Sequence, residues 1–168
     1  MYRHWRYLGV MIVLVVGYGC GFKPMYSQNY PQQSAVIASL ANIEVAPIEG
    51  RLGQIVYYGL QDRLNPTGTP SIPEYVLEVV LTQQEIPLGI EQDRSITRYK
   101  VILLGDYVLK YKATGALLDK GQVRIFGSYN RVESDYATYA TKTDVFERMA
   151  SEMSQELSTR TTATLMRR

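Results

Sequence analysis

The chain of 168 residues holds a single cysteine, Cys20, and a single histidine, His4. One cysteine cannot build an intrachain disulfide framework, and this pair cannot furnish a zinc cage. His4 lies in a segment read below as removable, so no histidine-based triad or dyad is expected in the mature chain. Phenylalanine and tryptophan are scarce, at three and one. No apolar run reaches the ~20 residues that a spanning helix needs. Charge of one sign is not in excess either. There are 18 basic and 16 acidic residues, and loss of Arg3 and Arg6 leaves 16 of each. A general attraction for nucleic acid is therefore not expected. The sequence shows no glycine-rich phosphate loop, metal-ligand spacing or nucleophile motif, and no cofactor is expected.

What is present begins with a globular composition, 46% hydrophobic and 20% charged, at a length that suits one domain. Residues 1–6 are basic, Leu8–Val16 is an uncharged apolar run, and Gly17, Tyr18 and Gly19 lead to Cys20. That order predicts a signal peptide over residues 1–19. Cys20 stands where the cut would fall, and the segment resembles the lipobox of bacterial lipoproteins. There the thiol is joined to diacylglycerol, the chain is cut before the cysteine, and the new amine is acylated. Gly19 supplies the small residue before the cysteine. Several acyl chains on one residue anchor a protein stably. Residues 20–34, rich in Gly, Pro, Gln and Ser, read as a lipidated tether. Residues 35–168 read as a single α+β domain.

Asn42–Ile48 alternates and predicts a first strand ended near Pro47. Leu52, Val56, Leu60 and Leu64 recur every four residues, which predicts a helix over Arg51–Leu64 stopped by Asn65-Pro66. Tyr75–Gln83 reads as a second strand and Ile86–Ser95 as a loop. Thr97–Ala113 reads as a third strand with Tyr99, Val101, Leu103, Tyr107 and Leu109 on one face. Thr114-Gly115 predicts a tight hairpin into a fourth strand over Ala116–Val132. In the expected register Ala113 faces Ala116 and Lys110 faces Asp119. A β-bulge at Gly121 then turns Val123, Ile125 and Tyr129 inward and sets Arg124 opposite Asp106. The last element is a helix over Tyr136–Leu165, with Tyr136, Ala140, Phe146, Ala150, Met153, Leu157 and Leu165 near one face. Asp144 and Glu147 offer a later start. The result is a β-α-β-β-β-α chain: a four-stranded, mostly antiparallel sheet with two helices packed on one face.

The lipobox GCGFKPMY, the helix EGRLGQIVYYGLQDRLNP after one strand, the hairpin YKATGALLDKGQVRIFGSYN and the entry of Tyr136-Ala137 into a long final helix resemble the lipopolysaccharide-assembly lipoprotein LptE family. The resemblance covers essentially the whole mature chain. It implies a lipoprotein of the outer membrane, lipid-anchored on the periplasmic side. The partners it implies are an LptD-type β-barrel of the lipopolysaccharide export machine, which it would plug and help assemble, and lipopolysaccharide itself.

Charge is unevenly distributed along the chain. Residues 44–93 carry eight acids and two bases, and residues 94–131 carry eight bases and two acids. In the expected register Arg98, Lys100 and Lys112 lack an acidic partner, and Ile102, Leu104 and Val108 share their face. Cations flanking aliphatic side chains suit a phosphorylated amphiphile. Arg98, Lys100 and Lys112, with Arg94 and Arg131, are therefore the candidate lipopolysaccharide-binding residues. The same pattern fits a solvated face or one packed on a partner protein. Tyr57 and Tyr58 cannot both enter the core, while Met149 and Met153 are expected there. Two rival readings stay open. One is an accessory lipoprotein of another envelope lipid-transport complex. The other is a cell-wall glycoside hydrolase using two of Glu44, Glu74, Glu78 and Glu85. The expectation is a protein that is not an enzyme.

Overall fold

A computed structural model of the chain describes residues 42–66, 68, 72–90 and 96–167. Six elements follow one another: β1 (Ile43–Val45), α1 (Gly50–Leu64), β2 (Tyr75–Ile90), β3 (Ile96–Tyr111), β4 (Leu117–Asn130) and α2 (Asp135–Met166). The strands lie in the order β1-β2-β3-β4. β1 runs parallel to β2, and the other pairs are antiparallel. This is the expected fold class.

The helix stripe and the strand alternation meet in one core. Val56, Leu60 and Leu64 of α1 are buried against Ile43, Val45 and Leu77 of the sheet. Met149, Met153 and Leu157 of α2 cover Val101, Leu103 and Ile125. Asn65 closes α1 in two ways. Its backbone N–H donates to the Gln61 carbonyl, and its buried Nδ2 donates to the Ile43 carbonyl at 2.8 Å. α1 is thereby tied to β1 where Pro66 ends the helix. Tyr57 is half-buried and Tyr58 is exposed, with the two rings edge to face.

β2 is longer than expected, since Ile86–Ile90 continue the strand rather than opening a loop. Pro87 is tolerated there because β1 covers β2 only at Tyr75–Leu77. The Leu77 carbonyl points to the β1 side, where it accepts from the Ala46 N–H. Pro87 has the same parity, so its missing N–H falls on the edge that no described strand covers.

The β3–β4 hairpin also departs from its expected register. Tyr111 and Ala116 close the turn, and Gly115 takes φ +68°, a left-handed conformation that glycine adopts without strain. Lys110 pairs with Leu117 and Leu109 with Asp119, so the bulge lies at Leu118 rather than Gly121. Asp106 faces Gln122, and Arg124 faces Leu104. Val123, Ile125 and Tyr129 still point inward. From Gln122 onward the two registers differ by two residues, which leaves the faces of that stretch intact, whereas Asp119 moves from the outer face to the helix-covered one, opposite Leu109.

α2 starts at Asp135. Ser134 caps it by accepting from the Ala137 N–H at 3.3 Å, so Asp144 is not a cap and instead pairs with Arg148. The first turns run past the covered part of the sheet. Tyr136 is 81% exposed and Ala140 is also exposed, so neither is part of the core.

Candidate functional site

Both helices lie on one face of the sheet, and the other face is uncovered among the described residues. Even-numbered residues of β2, β3 and β4 form that face, because their odd-numbered neighbours are the core. The rows follow from the register. Leu88, Arg98 and Asn130 stand side by side, then Ile86, Lys100 and Ser128, then Gln84, Ile102 and Phe126, then Thr82, Leu104 and Arg124. Ile86, Leu88 and Phe126 are 41%, 42% and 58% exposed. Large apolar side chains thus flank two cations spaced ~6.6 Å apart along one strand.

The cations of this face are held in two different ways. Lys110 pairs with Glu78, and Lys112 with Glu44. Those charges are cancelled locally. Lys100 Nζ instead sits 5.0 Å from the centroid of the Phe126 ring. Arg98 Nη2 donates to Ser128 Oγ at 3.1 Å. Neither has an acidic partner among the described residues. Arg124 Nε donates to Gln122 Oε1 at 2.7 Å, and Gln122 Nε2 donates to Asp106 Oδ1 at 2.8 Å. Arg124 therefore reaches an acid only through an amide.

The structure divides the expected basic cluster. Arg98 and Lys100 remain together. Lys112 is neither close to them nor unpartnered: it follows β3 at its far end, roughly 45 Å of extended chain away, in its pair with Glu44. The partner escapes sequence reasoning because it is 68 residues distant and on the one parallel strand. Arg131 follows β4 and is exposed. Its charge bears on the Tyr129 phenol, which belongs to the helix-covered face. Arg94 and Cys20 lie outside the described residues. Sequence reasoning did not single out Phe126, Ile86 and Leu88 for this face. Two-residue alternation across a third strand pair would have found Phe126, while Pro87 hid the other two.

The helix-covered face has its own polar group at the same end of the sheet. Tyr129 stacks on Tyr99 at 5.2 Å and donates to Glu85 Oε2 at 2.8 Å, and Lys142 pairs with Glu85 Oε1 at 2.7 Å. Burial works to raise the Glu85 carboxyl. Lys142 and the Tyr129 hydroxyl outweigh it and leave the group below the ordinary carboxylate value. Burial, and then the Glu85 carboxylate, push the Tyr129 phenol up. Glu44, Glu78 and Glu85 are thus each engaged with a lysine.

Solved structures provide the comparison. A candidate lipoprotein from Caulobacter crescentus superposes with a TM-score of 0.62 at 22% identity, covering 79% of this chain and 96% of that one. A minor lipoprotein from Acinetobacter baumannii gives 0.60 at 13% identity, over 73% and 92% of the two chains. The rare lipoprotein B from Shewanella oneidensis gives 0.58 at 12% identity, over 73% and 93%. The three share this fold. No protein-family model matches the sequence, and no curated protein does. The fold alone is therefore what these neighbours establish. It spans nearly their whole length, so the six elements described here make up the shared architecture rather than a fragment of it.

Proposed function

We propose that this chain is an outer-membrane lipoprotein, anchored on the periplasmic side through acylated Cys20. In this reading it partners an LptD-type β-barrel, assists its assembly, and helps deliver lipopolysaccharide to the outer leaflet. It acts by binding and not by catalysis. The observation that carries the reading is the upper half of the helix-free sheet face. Arg98 and Lys100 have no acidic partner there among the described residues, and they lie between Ile86 and Leu88 on one side and Phe126 on the other. Phosphates suit the cations, and acyl chains suit the apolar flank. The lipobox resemblance and the fold shared with three lipoproteins support the setting.

The test joins two measurements on the full chain in mild detergent. Extraction with this protein as bait is expected to yield a large barrel in stoichiometric amount. Recovery of an inner-membrane transporter would favour the reading as an accessory subunit of another lipid-transport complex. Charge reversal at Arg98 and Lys100 is expected to lower lipopolysaccharide affinity, with an effect that shrinks as salt rises. Lys112→Gln is expected to leave it unchanged. Equal losses from both changes would reduce the site to diffuse charge.

A further inference from the structure

The helix-free face carries a contrast that concerns how its cations are held. Lys110 and Lys112 are fixed by carboxylates, which cancel what they fix. Lys100 and Arg98 are fixed by neutral groups, the π face of Phe126 and the hydroxyl of Ser128. A flexible lysine loses much rotamer freedom when it grips a ligand. A neutral seat removes part of that loss in advance without consuming the charge. Phe126 and Ser128 are two residues apart on β4, and both face the β3 cations across one strand pair. Phe126 is 58% exposed, so little of its side chain is engaged in holding the fold together.

We propose that Phe126 and Ser128 are positioning residues of a preformed phosphate clamp, in which they hold Lys100 and Arg98 oriented toward the phosphate of an acylated, phosphorylated amphiphile. The inference rests on the binding face proposed above. An ammonium over a ring presents one side to the quadrupole, and its remaining N–H donors stay available to phosphate oxygens. The Arg98 guanidinium uses one nitrogen on Ser128, and its other nitrogens remain for the ligand. The adjoining Ile86, Leu88 and Ile102 supply the apolar bed.

The experiment uses the full chain in detergent and phosphatidylcholine vesicles carrying either bisphosphorylated lipid A or the same lipid with its phosphates removed. Phe126→Leu keeps an apolar side chain but removes the π face. Its expected effect is a loss of about two- to fivefold in affinity for the phosphorylated vesicles, the 0.5–1 kcal/mol of an exposed cation–π contact converted at 1.4 kcal/mol per tenfold. Phe126→Trp is expected to restore affinity. Phosphate-free vesicles are expected to bind all three proteins alike. In a Lys100→Met background, Phe126→Leu should cause no further loss. The clamp is overturned if Phe126→Leu binds phosphorylated vesicles as well as the parent. It is equally overturned if the deficit persists on phosphate-free vesicles, or if Trp fails to rescue a variant that melts normally. Charge reversal at Arg98 and Lys100 separates the two levels. If reversal has no effect, the binding face itself is wrong. If reversal weakens binding while Phe126→Leu does not, the face stands and the clamp falls.

Discussion

Adding one methyl group at Gly59 tests how closely the two helices approach. A Cβ at this position of α1 would lie 2.6 Å from Ser154 Oγ and 3.0 Å from Ser154 Cβ. Ser154 is fully buried, its hydroxyl donates to the Ser151 carbonyl at 2.7 Å, and it accepts from Arg63 Nη1 at 3.2 Å. Either α1 shifts, an overpacking cost of about 1–3 kcal/mol, or Ser154 turns away and leaves a buried hydroxyl unpartnered at about 1–3 kcal/mol. Alanine at a helical glycine position gains roughly 1 kcal/mol of propensity. The balance is a net loss of up to about 2 kcal/mol, or as much as roughly 8 °C in Tm for a domain of this size. The sign is the opposite of what propensity alone gives. Thermal and urea unfolding of the parent, Gly59→Ala, Ser154→Gly and the double variant completes a cycle, with an expected coupling of about 1 kcal/mol or more. A raised Tm for Gly59→Ala would refute the reasoning, as would coupling below about 0.3 kcal/mol.

Three further outcomes are expected. Cys20→Ser should leave the precursor uncut or release the protein from the membrane, whereas mass spectrometry of the parent's N-terminal peptide should find acyl chains on Cys20. Glu85 has a lowered carboxyl value in the fold, so its contribution to stability is present above its ordinary value near 4.5 and fades as pH falls through the lowered one. The urea midpoint of the parent should therefore exceed that of Glu85→Gln at neutral pH and converge with it in acid, and a constant gap would count against the ion pair. Deleting Leu118, the bulge residue, should regularise the ladder and yield a folded protein of reduced stability. Deleting Gly121 should also absorb the bulge, but it sets Lys120 opposite Tyr107 on the helix-covered face and turns Asp119 away from Tyr107 and Thr164, so its urea midpoint should fall below that of the Leu118 deletion.

Face assignments were legible in the sequence because alternation and helical spacing are properties of neighbouring residues. Val56, Leu60 and Leu64, Leu103 and Leu109, and Met149 and Met153 are all buried as expected. Register is a different kind of information. Inward-facing Val123, Ile125 and Tyr129 fix the pairing only to the nearest two residues, so a bulge at Leu118 and one at Gly121 satisfy the same burial pattern. Charge partners failed for a related reason. The hairpin pattern alone sets Lys110 opposite Asp119, yet it reaches Glu78 on the other side of β3, and a single strand pair cannot reveal that choice. Asp119 instead accepts from Tyr107 and from Thr164 of α2. Pro87 misled because a strand pattern containing proline reads as broken, and its tolerance depends on β1 stopping so soon. The proposed binding face was half visible. Arg98 and Lys100 came from the third strand's own alternation, but the neutral groups that hold them sit on the fourth.

The brevity of β1 bears on the order in which the chain can be assembled. β2, β3 and β4 join through neighbouring strand pairs, whose contacts are close in sequence at the connections. β1 has only Ile43, Glu44 and Val45 to offer, and it must find Tyr75, Val76 and Leu77 across the whole of α1. Closing that span costs entropy before three residue pairs return anything. The meander is therefore the expected nucleus, with β1 joining an existing edge late, which faster hydrogen exchange at Ile43–Val45 than at β3 would show. Synthesis runs the other way, since β1 and α1 leave the ribosome first. Until Tyr75–Leu77 is in place, the stripe of Val56, Leu60 and Leu64 lacks the part of its surface that β1 and β2 supply, and in this order the earliest part of the domain to be made is expected to be the last to be fixed.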